Sequence, residues 1–257
     1  MTRTYDSLAA YYDRWIEGDP AAGPCAAFYR RLYRETGGLI VELGVGNGRI
    51  AGPAAREGAE IVGVDSSTAM LRAACAAWSA CTGEGLHLIA ADMRALPLRS
   101  GTASLIALPF RTIGHFTDNE EKRQVLLEAK RLLSQRGIFV VDHYVFDREW
   151  ANAHNGRWRK MYVGHDRLDG VLGIYDRYDY DFENCIMHVT TRIERRAHAE
   201  ADTTIENTRF DFSWIDPADM RALIARSGFD IIDVFGDYDG RAFDGNSEEQ
   251  VWFLRAK

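Results

Sequence analysis

The stretch "VELGVGNGR" (residues 41–49) places Gly44, Gly46 and Gly48 directly after a short apolar run. The run itself, "GLIVELG" (38–44), is typical of a buried parallel strand that ends at a glycine. A glycine-rich turn between such a strand and the following helix lets a ligand approach the backbone closely. The stretch therefore predicts a ligand-binding loop in an α/β domain.

The chain around this loop alternates between strand-like and helix-like patterns. A capping box of Thr117 and Glu120 is expected to open one of the helices. Further strands are predicted at 59–65, 86–92, 103–109, 137–146, 229–235 and 250–256. This alternation predicts a Rossmann-like α/β fold, doubly wound, with a seven-stranded and mostly parallel sheet.

The alternation of strands and helices is interrupted between residues 151 and 213, where the chain follows a strand period without a helical one. On 173–182, one strand face carries Tyr178, Tyr180 and Phe182. An inserted antiparallel sheet is predicted here, acting either as a lid or as the surface of a homo-oligomer. The expected division is 1–37 for N-terminal helices, 38–150 with 214–257 for the Rossmann-like domain, and 151–213 for the insertion.

Composition limits the classes of function. The 257 residues carry a net charge of -7, which argues against a nucleic-acid partner bound by broad phosphate neutralisation. The four cysteines form no CxxC pair, and no apolar run approaches the length of a membrane span. A cytoplasmic protein with reduced thiols and no membrane partner is expected.

The spacing of the glycines decides between two kinds of ligand. A dinucleotide-binding loop reads G-x-G-x-x-G, whereas Gly44, Gly46 and Gly48 give G-x-G-x-G. Glu42 also precedes the loop, where its carboxylate would repel a pyrophosphate and attract an ammonium group. An NAD-dependent oxidoreductase is therefore a distant alternative, and a tight turn without a ligand is disfavoured.

Three successive strand ends, "VELGVGNGR", "VGVDSSTAML" and "IAADMRALP", resemble the class I S-adenosylmethionine-dependent methyltransferases. The resemblance covers most of residues 38–143. It implies S-adenosyl-L-methionine as the cofactor, with S-adenosyl-L-homocysteine as its product. Metal-dependent members need several carboxylates at the end of the fifth strand, where this chain offers only Asp142. No metal is expected.

The resemblance also implies roles for individual residues. Glu42, Gly44 and Gly46 would hold the methionine part of the cofactor, and Asp65 would accept the ribose hydroxyls, flanked by Ser66. Asp92 would contact the adenine amino group, although a helix-capping role is its alternative. The remaining cofactor contacts are assigned to Met93, beside the adenine ring, and Leu108, beside the methionine.

The N-terminal stretch "YDSLAAYYDRW" (5–15) resembles the Y-D-x-x-A-x-x-Y-D opening of many small-molecule methyltransferases. Tyr5 and Tyr12 lie seven residues apart and so share one helix face. Aromatic rings there would stabilise a sulfonium cation. Alternatively, both tyrosines serve only to dock the helix on the core.

The stretch "PFRTIGHF" (109–116) resembles amino-sugar and antibiotic-tailoring N-methyltransferases, including the lincosamide type. His115 and Tyr12 are the candidate catalytic residues, with His115 as base, orienting group or structural residue. The predicted substrate contacts are Phe110, Arg111, Phe116, Tyr144, Tyr238 and Arg241.

Together these features predict methyl transfer to an amine nitrogen of a small polar acceptor, such as an amino sugar or an antibiotic intermediate. Two alternatives stay open. One is a small-molecule O-methyltransferase, and the other is a non-enzymatic module that binds S-adenosylmethionine.

Overall fold

The computed structural model describes residues 2–165, 170–198 and 201–257, with side chains from residue 5 onward. In chain order the elements are α1 (Thr2–Leu8), α2 (Tyr12–Ile16), α3 (Ala22–Glu35), β1 (Ile40–Leu43), α4 (Ala51–Arg56), β2 (Ile61–Asp65), α5 (Thr68–Ala77), β3 (Leu86–Ala90), β4 (Ala103–Leu108), a 3-10 helix (Thr112–His115), α6 (Asn119–Leu132), β5 (Leu133–Tyr144), α7 (Arg148–His154), β6 (Trp158–His165), β7 (Val171–Asp181), β8 (Ile186–Arg196), β9 (Thr204–Ser213), α8 (Pro217–Arg226), β10 (Phe229–Phe235) and β11 (Glu249–Ala256).

Seven of these strands form one sheet in the order β10-β11-β5-β4-β1-β2-β3. β1 to β5 pair in parallel, and β11 lies antiparallel between β5 and β10. The predicted seven-stranded, mostly parallel sheet is therefore confirmed. The chain runs outward from β1 to β3 and then crosses to β4 on the other side of β1. Such a reversal opens a crevice at the carboxyl ends of the strands.

The centre of the sheet is buried because its strands are apolar along nearly their whole length. All four residues of β1 are buried, as are five of the six residues of β4. Polar groups consequently collect where the strands end, and this places Glu42, Asp65 and Asp142 at one edge. None of the helices in the described residues is long and apolar enough to cross a membrane.

The start of α6 differs from the expected capping box. The N-cap is Asp118, whose side chain accepts hydrogen bonds from the amides of Glu120 and Glu121. The prediction of Thr117 as the cap was wrong by one residue. The physical reason is that Asp118 adopts an extended backbone conformation immediately before the helix, so its carboxylate reaches both free amides.

The inserted strands β6, β7, β8 and β9 form a separate antiparallel sheet in chain order. Successive side chains of β7 alternate between its two faces, so Asp176, Tyr178 and Tyr180 share one face. That face lines a cavity beneath the sheet. This position favours a lid over subunit pairing as the role of these two tyrosines, and the expected homo-oligomer stays a prediction.

The inserted sheet docks on the core where β9 meets the 3-10 helix. The Ser213 hydroxyl donates hydrogen bonds to the carbonyl oxygens of Gly114 (3.1 Å) and Phe116 (2.9 Å). A Cβ on Gly114 would lie 2.4 Å from the ring of Phe212 and 2.8 Å from the Ser213 carbonyl oxygen. Glycine is therefore required for the close approach of the two segments.

We predict that Gly114→Ala destabilises the fold by about 1–3 kcal/mol, because the added methyl group overpacks this contact. Chemical denaturation followed by circular dichroism measures the change. Gly37→Ala is the matched control, since a Cβ there meets no described atom within 4 Å and the position is exposed after the end of α3. It should change stability by less than about 1 kcal/mol. Equal effects of the two substitutions would contradict the packing explanation.

Candidate functional site

A cavity of about 840 Å³ opens at the carboxyl ends of the parallel strands, between the core and the inserted sheet. Its size suits a cofactor together with a small acceptor. Four parts of the chain enclose it. These are the N-terminal helices, the strand ends of the core, the loop at 110–116, and the inner face of the inserted sheet.

The glycine loop faces this cavity through Gly44 and Gly46. The φ of Gly46, 56°, is left-handed, and a Cβ on Gly46 would meet no described atom within 4 Å. By contrast, a Cβ on Gly44 would lie 2.6 Å from Thr112 and one on Gly48 would lie 2.9 Å from Trp78. The loop therefore uses two glycines for packing, while Gly46 leaves open space where a ligand can approach the backbone.

Asp65 lies at the end of β2 and joins the loop to the neighbouring turn. Its carboxylate accepts hydrogen bonds from the backbone amides of Gly46 and Ser67, each at 2.8 Å. Burial raises the pKa of Asp65, and these amides partly offset the effect by stabilising the anion. A carboxylate has about four acceptor positions, so it can still accept the two hydroxyls of a ribose.

Glu42 lies behind the loop and outside the cavity lining. Its side chain is 2 % exposed, and Oε2 has no hydrogen-bond partner among the described residues. Burial raises the pKa of Glu42 to about 8, so the carboxyl group is largely neutral near pH 7. Glu42 is therefore set back from the cavity because the core encloses the strand end on which it lies, and its reach to the cofactor ammonium group through the local network stays a prediction.

Two other predicted cofactor contacts are also placed away from the cavity. The described lining includes Ser66 and Met93 but neither Asp92 nor Leu108. Asp92 is directed at Arg94, whose guanidinium donates to both carboxylate oxygens, and this hydrogen bonding lowers the pKa of Asp92. Leu108 is fully buried in the core of the parallel sheet. Direct ligand contact by these two residues is therefore not supported.

The loop after β4 begins with two residues, Phe110 and Arg111, in the left-handed region, at φ 56° and 62°. Such a conformation is strained for residues with a side chain. The buried Asp142 on β5 offsets that strain by accepting hydrogen bonds from both of their backbone amides, at 2.9 and 2.7 Å. The hydroxyl of Tyr29 donates to the same carboxylate at 2.7 Å. Asp142 is thus a structural anchor for this loop.

Arg111 is held on the cavity wall by ion pairs. It contacts Asp19 at 2.8 Å and Glu249 on its other side, while its guanidinium lies 5.3 Å from the ring centre of Tyr144. The pKa of Arg111 is raised by these two carboxylates despite its burial, and burial raises the pKa of Glu249 to about 7. A fixed cation therefore lies beside the predicted acceptor contacts Phe110, Phe116 and Tyr144, which all line the cavity.

Two other predicted acceptor contacts, Tyr238 and Arg241, are absent from the described cavity lining. Tyr238 is buried and donates a hydrogen bond to Asp142 at 3.1 Å, so it supports the anchor. Arg241 lies in an exposed turn near Asp237. Their contact with the acceptor is therefore not supported by this arrangement.

His115 and Tyr5 both line the cavity and contact each other. The Tyr5 hydroxyl lies 2.8 Å from Nε2 of His115, and the two rings are in edge contact. Burial lowers the pKa of His115 to about 4, although part of the ring faces the cavity. His115 is therefore neutral at physiological pH. Tyr5 also lies 6.2 Å from Tyr12, ring centre to ring centre, so both tyrosines line the same wall.

The N-terminal helices are fastened over the cavity by hydrogen bonds that involve carboxylates. Asp6 accepts from Ser67 and Asp13 accepts from Asn47, both at 2.6 Å. On the opposite side, the indole of Trp15 donates to Asp176 of the inserted sheet at 2.8 Å. These contacts connect α1 and α2 to both walls of the site.

Sequence reasoning missed several cavity residues. Asp176 lies two residues before Tyr178 and four before Tyr180, so the alternation of strand faces in "YDRYDY" (175–180) predicts its inward position. Phe210 and Phe212 follow the same rule on β9. Two other lining segments are different, because no strand periodicity marks the direction of their side chains. They are 145–150, which runs into α7, and 245–248.

The unusual pKa of Glu42 predicts a pH-dependent stability. The folded state keeps a proton that the unfolded state loses above about pH 4.5, so wild-type stability should fall between about pH 5 and about pH 8. Glu42→Gln removes this dependence. Without cofactor, we expect the free energy of unfolding of Glu42→Gln, relative to that of wild type, to increase across that window by at least about 1 kcal/mol and then to level off. Thermal unfolding at several pH values measures it, with the exposed Glu84→Gln as a flat control. A constant difference would contradict the burial effect.

Asp65 gives a second prediction. Asp65→Asn should weaken S-adenosylhomocysteine binding by at least about tenfold, because a neutral amide offers fewer acceptor positions to the ribose. Isothermal titration calorimetry measures the affinity. Asp92→Asn is the matched control and should change affinity by less than about threefold, since its carboxylate is directed at Arg94. A large loss of S-adenosylhomocysteine affinity in Asp92→Asn, without one in Asp65→Asn, would contradict both assignments.

Among the described residues, no group of three or more His, Cys, Asp or Glu side chains is arranged to hold a metal ion. The expectation of metal-independent chemistry stays a prediction. The residues that remain on the cavity wall fit the expected cofactor. Gly46 leaves space for it, Asp65 can accept its ribose hydroxyls, and Tyr5 and Tyr12 offer aromatic rings to a sulfonium.

Comparison with known proteins agrees with this geometry. The family model described as "Methyltransferase domain" matches residues 40–137. No curated protein matches the sequence. Among solved structures, the CcbJ methyltransferase from Streptomyces caelestis superposes with a TM-score of 0.79 at 22% identity, covering 100% of this chain and 99% of that one.

Two further structures have the same fold. The sugar N-methyltransferase KedS8 from Streptoalloteichus sp ATCC 53650 gives a TM-score of 0.73 at 17% identity, covering 100% of this chain and 94% of that one. The S-adenosylmethionine-bound CalS10 from Micromonospora echinaspora, described as an amino pentose methyltransferase involved in calicheamicin biosynthesis, gives 0.68 at 17%, covering 98% and 96%. Residues 40–137 therefore match a methyltransferase domain, and the fold of the chain from end to end is that of these solved methyltransferase structures.

Proposed function

We propose that this protein transfers a methyl group from S-adenosylmethionine to an amine nitrogen of a small polar metabolite, such as an amino sugar or an antibiotic intermediate. The observation that carries the proposal is the charge of the cavity. Among the described residues, six carboxylates line it, against three guanidinium groups. The carboxylates are Asp19, Asp65, Asp147, Glu149, Asp176 and Glu248, and the guanidinium groups are Arg111, Arg148 and Arg159.

A cavity with an excess of negative charge favours a positively charged acceptor over a neutral one. Field lines are focused in a cleft with apolar walls, so the local concentration of cations rises. An amine is cationic in water and is recruited in this form. Once enclosed, its pKa falls because burial disfavours the charged form, and the neutral amine then carries the nucleophilic lone pair.

The state of His115 also supports an amine. A hydroxyl acceptor needs a base to remove its proton as it attacks, whereas an amine needs only to lose the proton that it carries in water. His115, with a pKa of about 4, is a weak base. Its neutral ring, hydrogen-bonded to Tyr5, is better suited to accept or donate a hydrogen bond and so to orient the acceptor.

The protein itself therefore contributes to the reaction by positioning the cofactor and the acceptor and by enclosing them. Bound S-adenosylmethionine supplies a methyl group already activated by its sulfonium. Tyr5 and Tyr12 present aromatic rings to that positive charge, and Asp65 with Gly46 holds the nucleoside end. The loop anchored by Asp142 and the inserted sheet exclude water and align the acceptor, which supplies much of the rate enhancement.

The printed descriptions of two structural neighbours are consistent with an amine acceptor. KedS8 is described as a sugar N-methyltransferase and CalS10 as an amino pentose methyltransferase. CcbJ is described as a methyltransferase without a stated acceptor. At 17–22% identity these likenesses support the proposal without extending either substrate to this chain.

The test uses paired acceptors that differ only in an amino or a hydroxyl group, for example amino sugars and their parent sugars, with product detected by mass spectrometry. We expect methylation of amines and none of the matched alcohols. His115→Gln should lower kcat by about tenfold through lost orientation, with S-adenosylhomocysteine affinity and the shape of the pH profile unchanged.

The matched control is His188→Gln, since His188 lies on the exposed outer face of the inserted sheet. It should retain wild-type kinetics. Methylation of the alcohols, together with loss of the acidic limb in the pH profile of His115→Gln, would contradict the amine assignment and identify an O-methyltransferase.

A further inference from the structure

Asp176 is a buried carboxylate on the inserted sheet that the methyl-transfer chemistry outlined above does not use. It lies on the inner face of β7, is 1 % exposed, and contributes to the cavity wall. The neighbouring inward side chains on the sheet include Met187, Val189 and Phe210, so the surroundings are mainly apolar. A charged group in such a place is costly unless it has partners.

The hydrogen bonds of Asp176 leave its charge uncompensated. Oδ1 accepts from the hydroxyl of Thr191 at 2.7 Å, and Oδ2 accepts from Trp15 at 2.8 Å and from the Tyr178 hydroxyl at 3.2 Å. All three donors are neutral. A carboxylate has about four acceptor positions, so one further donor can be bound.

No ion pair found in the described part of the chain includes Asp176. The charge of Arg159 acts on Asp176 and partly offsets the effect of burial on its pKa, but the Arg159 guanidinium donates to the carbonyl oxygen of Gly18 at 3.2 Å. Burial raises the pKa of Asp176, which agrees with an anion that lacks a bound counter-ion. A cationic donor in the cavity would supply the missing partner.

The position of Asp176 also suits contact with the acceptor. Trp15, which donates to it, lies 6.3 Å from Tyr5, ring centre to ring centre. The charges of Asp65 and Asp176 both contribute to raising the pKa of Tyr5. Asp176, on the inserted sheet, therefore lines the same cavity as Tyr5, Asp65 and Gly46.

We propose that Asp176 is an acceptor-binding residue, whose carboxylate binds the protonated amino group of the acceptor as it enters and so selects amines over alcohols. The proposal rests on the amine acceptor proposed above and assigns its selection to one residue of the inserted sheet. It also gives this sheet a role in recognition in addition to enclosure.

The experiment compares wild type with Asp176→Asn, which preserves shape and removes the charge. Affinities are measured by calorimetry in the presence of S-adenosylhomocysteine, for paired probes such as methyl glucosaminide and methyl glucoside and for the best amine of the acceptor panel with its alcohol. In wild type we expect the amine of a pair to bind at least about tenfold more tightly than its alcohol. In Asp176→Asn this ratio should fall to within about twofold of unity, while S-adenosylhomocysteine affinity stays within threefold.

Thr191→Val separates charge from structure. Thr191 is buried, lies outside the described cavity lining, and donates to the same carboxylate. If Asp176 only connects α2 to the sheet, Thr191→Val and Asp176→Asn should have similar effects. If it binds the amine, Thr191→Val should keep a wild-type amine-to-alcohol ratio, and KM for the amine should rise only in Asp176→Asn.

The outcomes also separate this proposal from the function on which it rests. Methylation of amines by wild type, with an unchanged amine-to-alcohol ratio in Asp176→Asn, would overturn the role of Asp176 alone. Absence of any preference of wild type for amines over alcohols, in binding and in methylation alike, would overturn both the role of Asp176 and the proposed function. Loss of S-adenosylhomocysteine binding in Asp176→Asn would show that the residue acts on the cofactor side and would also overturn the proposal.

Discussion

The hydrogen bond from the Gly46 amide to the Asp65 carboxylate joins the two strand ends on which the site depends. Gly46 follows β1 and Asp65 ends β2, and the two strands pair in parallel, so the bond fixes the loop at the reversal point of the sheet. The carboxylate also binds the Ser67 amide at the start of α5. A crevice would form at this point in any doubly wound sheet. This bond gives it a fixed polar edge.

The rest of the cavity is built by carboxylates that act as local anchors. Asp142 stabilises the strained turn at Phe110 and Arg111, and Asp176 connects α2 to the inserted sheet. In both cases a buried anion accepts hydrogen bonds from neutral donors on several elements. Removing such an acceptor leaves buried donors unpaired, which is costly. The anchor at Asp142 therefore holds the start of the loop at 110–116, whose side chains line the cavity.

The extent to which the sequence predicted this arrangement differs by feature. The seven core strands follow from apolar runs that end at glycine or acid, and the structure places them within a few residues of the expected bounds. The positions of the three glycines and of Asp65 could be predicted from the sequence, because the backbone geometry of the turn after β1 and of the end of β2 determines them. For Glu42 and Asp92, strand-end position does not reveal where a side chain turns, and the structure places both outside the described cavity lining. One is enclosed by the core, and the other pairs with Arg94 two residues away.

Long-range partners account for what the sequence could not provide. The bond between Tyr5 and His115 spans 110 residues, and the bond between Trp15 and Asp176 spans 161. In neither pair does the sequence around one residue indicate which distant residue is its partner. By contrast, the inward face of β7 follows from strand periodicity, so Asp176 was predictable as a cavity residue although its indole partner was not.

The most direct measurement is calorimetric titration of the purified protein with S-adenosylhomocysteine, with NAD as the competing ligand. The open space at Gly46 and the G-x-G-x-G spacing predict micromolar binding of the nucleoside and no binding of the dinucleotide. Binding of NAD without binding of S-adenosylhomocysteine would contradict the assignment of the glycine loop, and with it the functional roles given to Asp65, Tyr5 and Tyr12.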